Sequence, residues 1–151
     1  MLQSMEVRLK PELDDCVGRN LAGTVRAALG LEVASARVVK VFTVEGLDLS
    51  ALERALAAAA LHDPVLHDAS LTAFASDADW IIEVAFRPGV TDNEGRTARE
   101  TLDAALVAIE EIMEQAQVNP QALHDAPVTT PVGRPDEVGA ARKPVLRYEF
   151  E

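Results

Sequence analysis

The strongest constraint on this chain is that it contains the same run twice. Met5 to Leu29 lies beneath Ile82 to Leu106 without a gap at an offset of 77, as between Glu6 and Glu83. Identical pairs are Glu6/Glu83, Val7/Val84, Pro11/Pro88, Asp15/Asp92, Gly18/Gly95, Arg19/Arg96, Thr24/Thr101, Ala27/Ala104, Ala28/Ala105 and Leu29/Leu106. Such self-similarity means that one supersecondary unit was duplicated, and any fold must accommodate both copies. The division this suggests is a first repeat over residues 1–76 and a second, divergent repeat over 77–151, with Ser76 to Asp79 as a polar hinge.

Each copy has the pattern of a strand followed by a helix. Trp80, Ile82, Val84 and Phe86 alternate with Glu83, Ala85 and Arg87, and Met5, Val7 and Leu9 alternate with Glu6, Arg8 and Lys10. This period of two gives each strand one apolar face. The pairing predicts two sheets packed together with Val7, Leu9, Val84 and Phe86 buried. Helical spacing follows in Val17, Leu21, Val25, Ala28, Leu29 and in Ala98, Leu102, Ala105, Leu106, Ile109. Thr91 with Glu94 has the form of a capping box, and Asp92 adds a negative charge at the helix start.

Between the two matching runs, Ser35 to Glu45 is a β-branched stretch with apolar residues in both phases. It predicts a strand that is central or covered on both faces. A helix starting at Asp48 or Ser50 and reaching about Leu61 follows, with Leu49, Leu52, Leu56 and Ala59 as its buried stripe. Val65 to Phe74 reads as a third strand. The first repeat is thus βαβαβ, with a right-handed parallel crossover from first to second strand. The second departs after Leu106. Its helix runs to about Gln117, Asn119-Pro120 breaks it, and no second run like Ser35–Glu45 follows, so the central strand of this copy is expected to be missing. Ala122 to Asp125 echoes Ala60 to Asp63. Ala126 to Lys143, rich in Pro and Gly, reads as an extended connection, and Val145 to Glu151 as a strand that completes this sheet or adds to a neighbour's edge. The class is α+β, with helices on one face of an antiparallel or mixed sheet in a ferredoxin-like manner.

Gly18 and Gly95 fall one turn inside their helices, where glycine costs about 1 kcal/mol relative to alanine. Each is followed by arginine. An anion held at the helix start beside Arg19 or Arg96 is one reading. No glycine-rich loop precedes either helix, and Asp14, Asp15 and Asp92 would repel an anion, so close packing is the expected role. Gly18, Arg19, Gly95 and Arg96 are therefore the candidate interface or structural residues.

Other chemistry is sparse. The three histidines each precede aspartate (His62, His67 and His124), at spacings that suit neither one helix face nor one strand face. Cys16 sits among acids, which raise a thiol's pKa. Glu110, Glu111 and Glu114 have the spacing of a solvated helix face. There is no Walker loop or nucleophile elbow. The chain therefore presents no catalytic set, no metal site and no cofactor-binding motif. A formal net charge of -11 disfavours nucleic acid and anionic membrane surfaces as partners. One cysteine, no signal-like start and no span-length apolar run predict a cytoplasmic protein.

The run Arg87-Pro88-Gly89-Val90-Thr91-Asp92-Asn93-Glu94-Gly95-Arg96-Thr97 resembles a stretch in one bacterial group of long-chain phosphoribosylformylglycinamidine synthases. Asp15-Cys16-Val17-Gly18, Ala36 to Lys40 and Asp63-Pro64-Val65 fall in order at the places expected for PurS, the small subunit of that enzyme, and for the PurS-like N-terminal region of its long form. The resemblance covers about Met5 to Ile109. It implies a noncatalytic subunit that bridges the synthetase and glutaminase subunits in purine biosynthesis. The enzyme's ATP, Mg and glutamine are bound elsewhere, and no catalytic residue carries over to this chain. Tandem units imply an intrachain pseudo-dimer or a homo-oligomer. A ferredoxin-like domain that senses a small ligand is the alternative.

Overall fold

The computed structural model describes residues 2–87, 90–118 and 141–150, with 116–118 and 141–146 described for the backbone alone. The order is β1 (Leu2–Leu9), α1 (Cys16–Leu29), β2 (Ala36–Glu45), α2 (Leu49–Ala57), β3 (His67–Ser70), β4 (Trp80–Val84), α3 (Asn93–Val118) and β5 (Ala141–Phe150). All five strands form one sheet in the order β3-β1-β2-β5-β4, and every neighbouring pair is antiparallel. The molecule is α+β, with its helices on one face of this sheet.

The connection from β1 through α1 to β2 returns antiparallel, with Met5 opposite Phe42 and Arg8 opposite Val39. The expected parallel crossover is thus corrected. Gly30 ends α1 with φ 65°, in the left-handed region, and its N–H donates to the Arg26 carbonyl. Asp15, just before α1, accepts from the Val38 N–H near the start of β2, so β2 is entered from the end at which β1 leaves and runs the opposite way.

β2 is the middle strand, and both of its faces are covered. Val39 and Val41 are buried on one side, and Ala36, Phe42 and Val44 on the other. The helical face holds the main core. Met5, Val7, Phe42 and Val44 of the sheet meet Ala51, Leu52 and Ala55 of α2 and Ala98, Leu102 and Leu106 of α3. A smaller cluster places Ala22 of α1 against Ala36 and Phe150, with Leu21 and Val25 alongside. Leu49 is exposed, and Val17 and Leu29 of α1 face outward. The buried stripes therefore turn on Ala51/Ala55 and Gly18/Ala22, because small residues let these helices lie close to the sheet.

The strand missing from the second copy is present as β5. β4 pairs with β5 (Glu83 opposite Arg147) as β1 pairs with β2 (Glu6 opposite Val41), so β5 corresponds to β2 at an offset of 106, as between Val41 and Arg147. Lys40 lies opposite Leu146, its own equivalent at that offset. The β1-α1-β2 and β4-α3-β5 halves are thus related by a local two-fold at this pair. The extra chain in the second half begins with α3, which has 26 residues against 14 in α1. β5 completes its own chain's sheet, between β2 and β4.

One continuous sheet replaces the expected pair of packed sheets, and burial differs accordingly. Val7 is 6% exposed, but its equivalent Val84 is 52% exposed and Phe86 is 50% exposed; Leu9 is half-buried. β4 lies at the edge, while α3 packs on β5 and α2 and its Ala98, Leu102 and Leu106 join the core cluster of β1 and β2. The strand expected over Val65 to Phe74 is limited to His67–Ser70. From Ser70 the chain must pass from one edge of the sheet to the other, about 19 Å at ordinary strand spacing, to begin β4. Pro88-Gly89, Asn119-Pro120, His124 and most of the Ala126 to Lys143 connection lie outside the described residues.

Candidate functional site

The two repeated helix starts are built alike. Asp15 caps α1, and its Oδ1 accepts from the Gly18 N–H at 2.8 Å. In the second copy the Asp92 Oδ1 accepts from the Gly95 N–H, also at 2.8 Å. The cap is therefore Asp92 rather than the Thr91/Glu94 box, and the register of the repeat explains why. The first copy has a further bond to the sheet. The second oxygen of Asp15 accepts from the Val38 N–H of β2 at 2.8 Å, tying the helix start to the sheet. The residue equivalent to Val38 is Pro144, which has no N–H to donate.

Gly18 is buried where α1 crosses β2. A Cβ there would overlap the Ala36 carbonyl oxygen and sit 2.8 Å from its carbon. Gly95 is buried at the matching place in α3. Arg19 and Arg96 point away from these contacts. Arg19 pairs with Asp14, and Arg96 with Glu100 at 3.5 Å, all four side chains being mostly exposed. Of the four candidate residues, the glycines face the sheet and the arginines face solvent, so the structure does not bring them together. Asp14 also occupies the guanidinium that an anion beside Gly18 would need.

Next to the α1 start is an open pocket of about 260 Å³. Val7, Val38 and Leu61 supply apolar walls, and Asp15, Lys40 and His67 supply polar groups. Lys40 is ion-paired with Glu94 at the start of α3. Both Asp15 oxygens are engaged as above. His67 accepts from the Asp63 N–H through Nδ1 at 3.3 Å. His62 lies near enough to sense His67, and burial, then that neighbour, lower its pKa, opposed by Asp63. No group of three or more metal-ligating side chains occurs among the described residues. Cys16 is exposed.

The helix-free face carries an ion-pair chain that the sequence pattern did not reveal. Arg147 of β5 bonds Glu83 of β4 at 3.0 Å and reaches across β2 to Glu6 of β1. Glu6 is 3% exposed, and its other oxygen accepts from the Phe74 N–H at 2.8 Å. The Arg8 guanidinium lies 3.9 Å from the Phe74 ring centroid. The segment between β3 and β4 is thus pinned across this face. The repeat-equivalent acids Glu6 and Glu83 share one arginine within the chain. Their recurrence in the repeat was the available signal; their partner could not be read without the register of β5.

No described helix is long and apolar enough to cross a membrane.

No known protein-family profile matches the chain. Curated relatives match over short stretches. Glycine dehydrogenase (decarboxylating) subunit 2 of Thermosipho melanesiensis is 44% identical over 54 residues, and that of Bacillus licheniformis 50% over 52. These cover 36% and 34% of this chain and 11% of each relative, so the chain spans about a ninth of their length. Among solved structures, PurS of Thermus thermophilus is 32% identical, with a TM-score of 0.39. The matched region takes in 48% of this chain and 90% of that PurS chain, so what is shared with it amounts to about half of the present molecule.

Proposed function

We propose that this chain is a noncatalytic assembly subunit of a phosphoribosylformylglycinamidine synthase, bridging the synthetase and glutaminase subunits. The observation that carries this reading is the duplicated helix start, Asp15 to Arg19 and Asp92 to Arg96, within the run Arg87 to Thr97 that resembles the long-chain synthases. In support, the two halves join around a local two-fold, as two separate subunits would in a dimer. The chemistry is consistent with a bridge. The charged groups of the site are engaged with one another, and the surface rather than a cleft carries the distinctive features. The stretch shared with glycine dehydrogenase subunit 2 is 11% of that protein.

The test is co-elution of the chain with the synthetase and glutaminase subunits of the same organism, with Mg-ADP and glutamine, read by light scattering. A joint peak is expected. Failure to join, with the other two proteins active alone, would make the resemblance one of ancestry only. A second reading, a small-ligand sensor, is favoured by the pocket beside α1. It predicts a metabolite that raises the Tm of the isolated chain.

A further inference from the structure

The local two-fold exposes a mismatch between the halves. In the first, the outer edge of β1 is paired with β3, and α2 lies over its helical face. Met5 and Val7 are consequently 0% and 6% exposed. Their equivalents Ile82 and Val84 are 51% and 52% exposed, Trp80 beside them is 74% exposed, and Ile81 on the opposite face is 51% exposed. β4 has no strand on its outer side among the described residues. A free edge with apolar side chains on both faces invites another strand.

We infer that β4 is the docking edge for a second copy of this chain, the two edges pairing antiparallel into a continuous ten-stranded sheet. Two arguments single out a second copy. The first is charge. Each chain carries -11, so two copies can approach only where charge is locally cancelled. Glu83, the one charged residue of β4, is ion-paired within its own chain to Arg147, which it shares with Glu6. The second is self-complementarity. With Ile82 opposite its counterpart, Trp80 meets Val84 of the partner, and Glu83 meets Ile81 rather than the other Glu83. A helix lying on the bare face would leave Ile81 in water and the edge amides unpaired; a strand covers both faces and the backbone. The existing β2–β5 seam already joins two copies of the unit in this antiparallel way. The inference rests on the sheet alone and stands apart from the bridging role.

Trp80 is the sole tryptophan and reports directly on this edge. Light scattering across a wide concentration range should show a species of twice 16.2 kDa, with Trp80 emission moving to shorter wavelength as it forms. Ile82→Lys should weaken association roughly tenfold or more while leaving the far-ultraviolet spectrum native. Should that variant fail to fold, Ile81→Lys, on the other face, gives the same reading. A wild-type chain that stays monomeric with solvent-exposed Trp80 emission overturns the inference. So does a dimer that survives these variants with the emission unshifted, or a shift seen only when a synthetase or glutaminase subunit is added.

Discussion

At the residue scale, two glycines of one helix separate two demands that look identical in sequence. Gly18 is fixed by contact, since any Cβ would press on the Ala36 peptide of β2. Gly23, five residues on, has nothing within 4 Å of a built Cβ. Gly18→Ala should therefore destabilise the fold by about 1–3 kcal/mol through overpacking, while Gly23→Ala should stabilise it by up to about 1 kcal/mol from helix propensity. Paired urea melts check the opposite signs. His62 gives a second prediction. Its Nδ1 is buried with no hydrogen-bond partner among the described residues, and desolvation holds its folded pKa below 6.5. The unfolded chain then takes up the proton first. Stability is full above the unfolded value and falls as pH drops through the window between 6.5 and the lowered folded value. His62→Gln should flatten that part of the Tm-against-pH curve without changing it above neutrality.

At the scale of elements, the repeat-equivalent glutamates of β1 and β4 have unequal weight. Glu6 is enclosed, whereas the Glu83 side chain is 54% exposed. Arg147→Met should leave a buried carboxylate without its cation and cost about 3–5 kcal/mol. Glu83→Gln should cost about 1 kcal/mol or less, as exposed pairs do. Chemical denaturation of both variants tests the ratio. The helices divide similarly. Leu102→Ala, at a position 2% exposed beneath α3, should cost about 2–5 kcal/mol. Phe86→Ala, in the half-exposed stretch after β4, should cost no more than about 1.5 kcal/mol. Alternation alone gave Phe86 a core place, and this shows what was legible. Period and capping fix where a strand or helix lies and which residues share a face: β2 was predicted from Ser35 and observed from Ala36, and α1 ends at Gly30 as expected. Whether a face is covered depends on a neighbour far away in sequence. That is why β4 read as buried, β5 as a tail strand, and the partner of Glu6 not at all. The helix-start aspartates and Gly18 were legible because the duplication marked them; the bond from Val38 to Asp15 was not, since it spans 23 residues.

At the scale of the whole molecule, the last described strand is the one that joins the halves. β5 forms the β2 seam and also holds β4, so among the described residues β4 reaches the rest of the sheet only through it. Its Phe150 helps to bury Ala22 of α1, and its Arg147 ties the helix-free face together. The β2–β5 seam closes loops of 97 to 114 residues (Val44 to Ala141, Ala36 to Phe150), whereas β1 meets β2 and β3 across 31 to 64 (Arg8 to Val39, Glu6 to Ser70). The entropy of such closure is recovered only when the whole seam forms, so β5 should dock late and all at once. Deleting residues 141–151 should therefore act on the two halves unequally. The first half retains the β1–β2–β3 ladder with α2 and loses the α1 contact to Phe150. The second loses the only strand, among the described residues, to which β4 is bonded. Hydrogen exchange should then show protection persisting in Glu6 to Leu9 and Val39 to Val44 and collapsing in Trp80 to Val84. Adding the deleted segment back as a free peptide should restore protection in β4 and β2 together. Equal loss in β1 and β4 would mean that the seam, rather than the first half, nucleates the sheet. Unchanged protection in β4 would show that it is held by something other than β5.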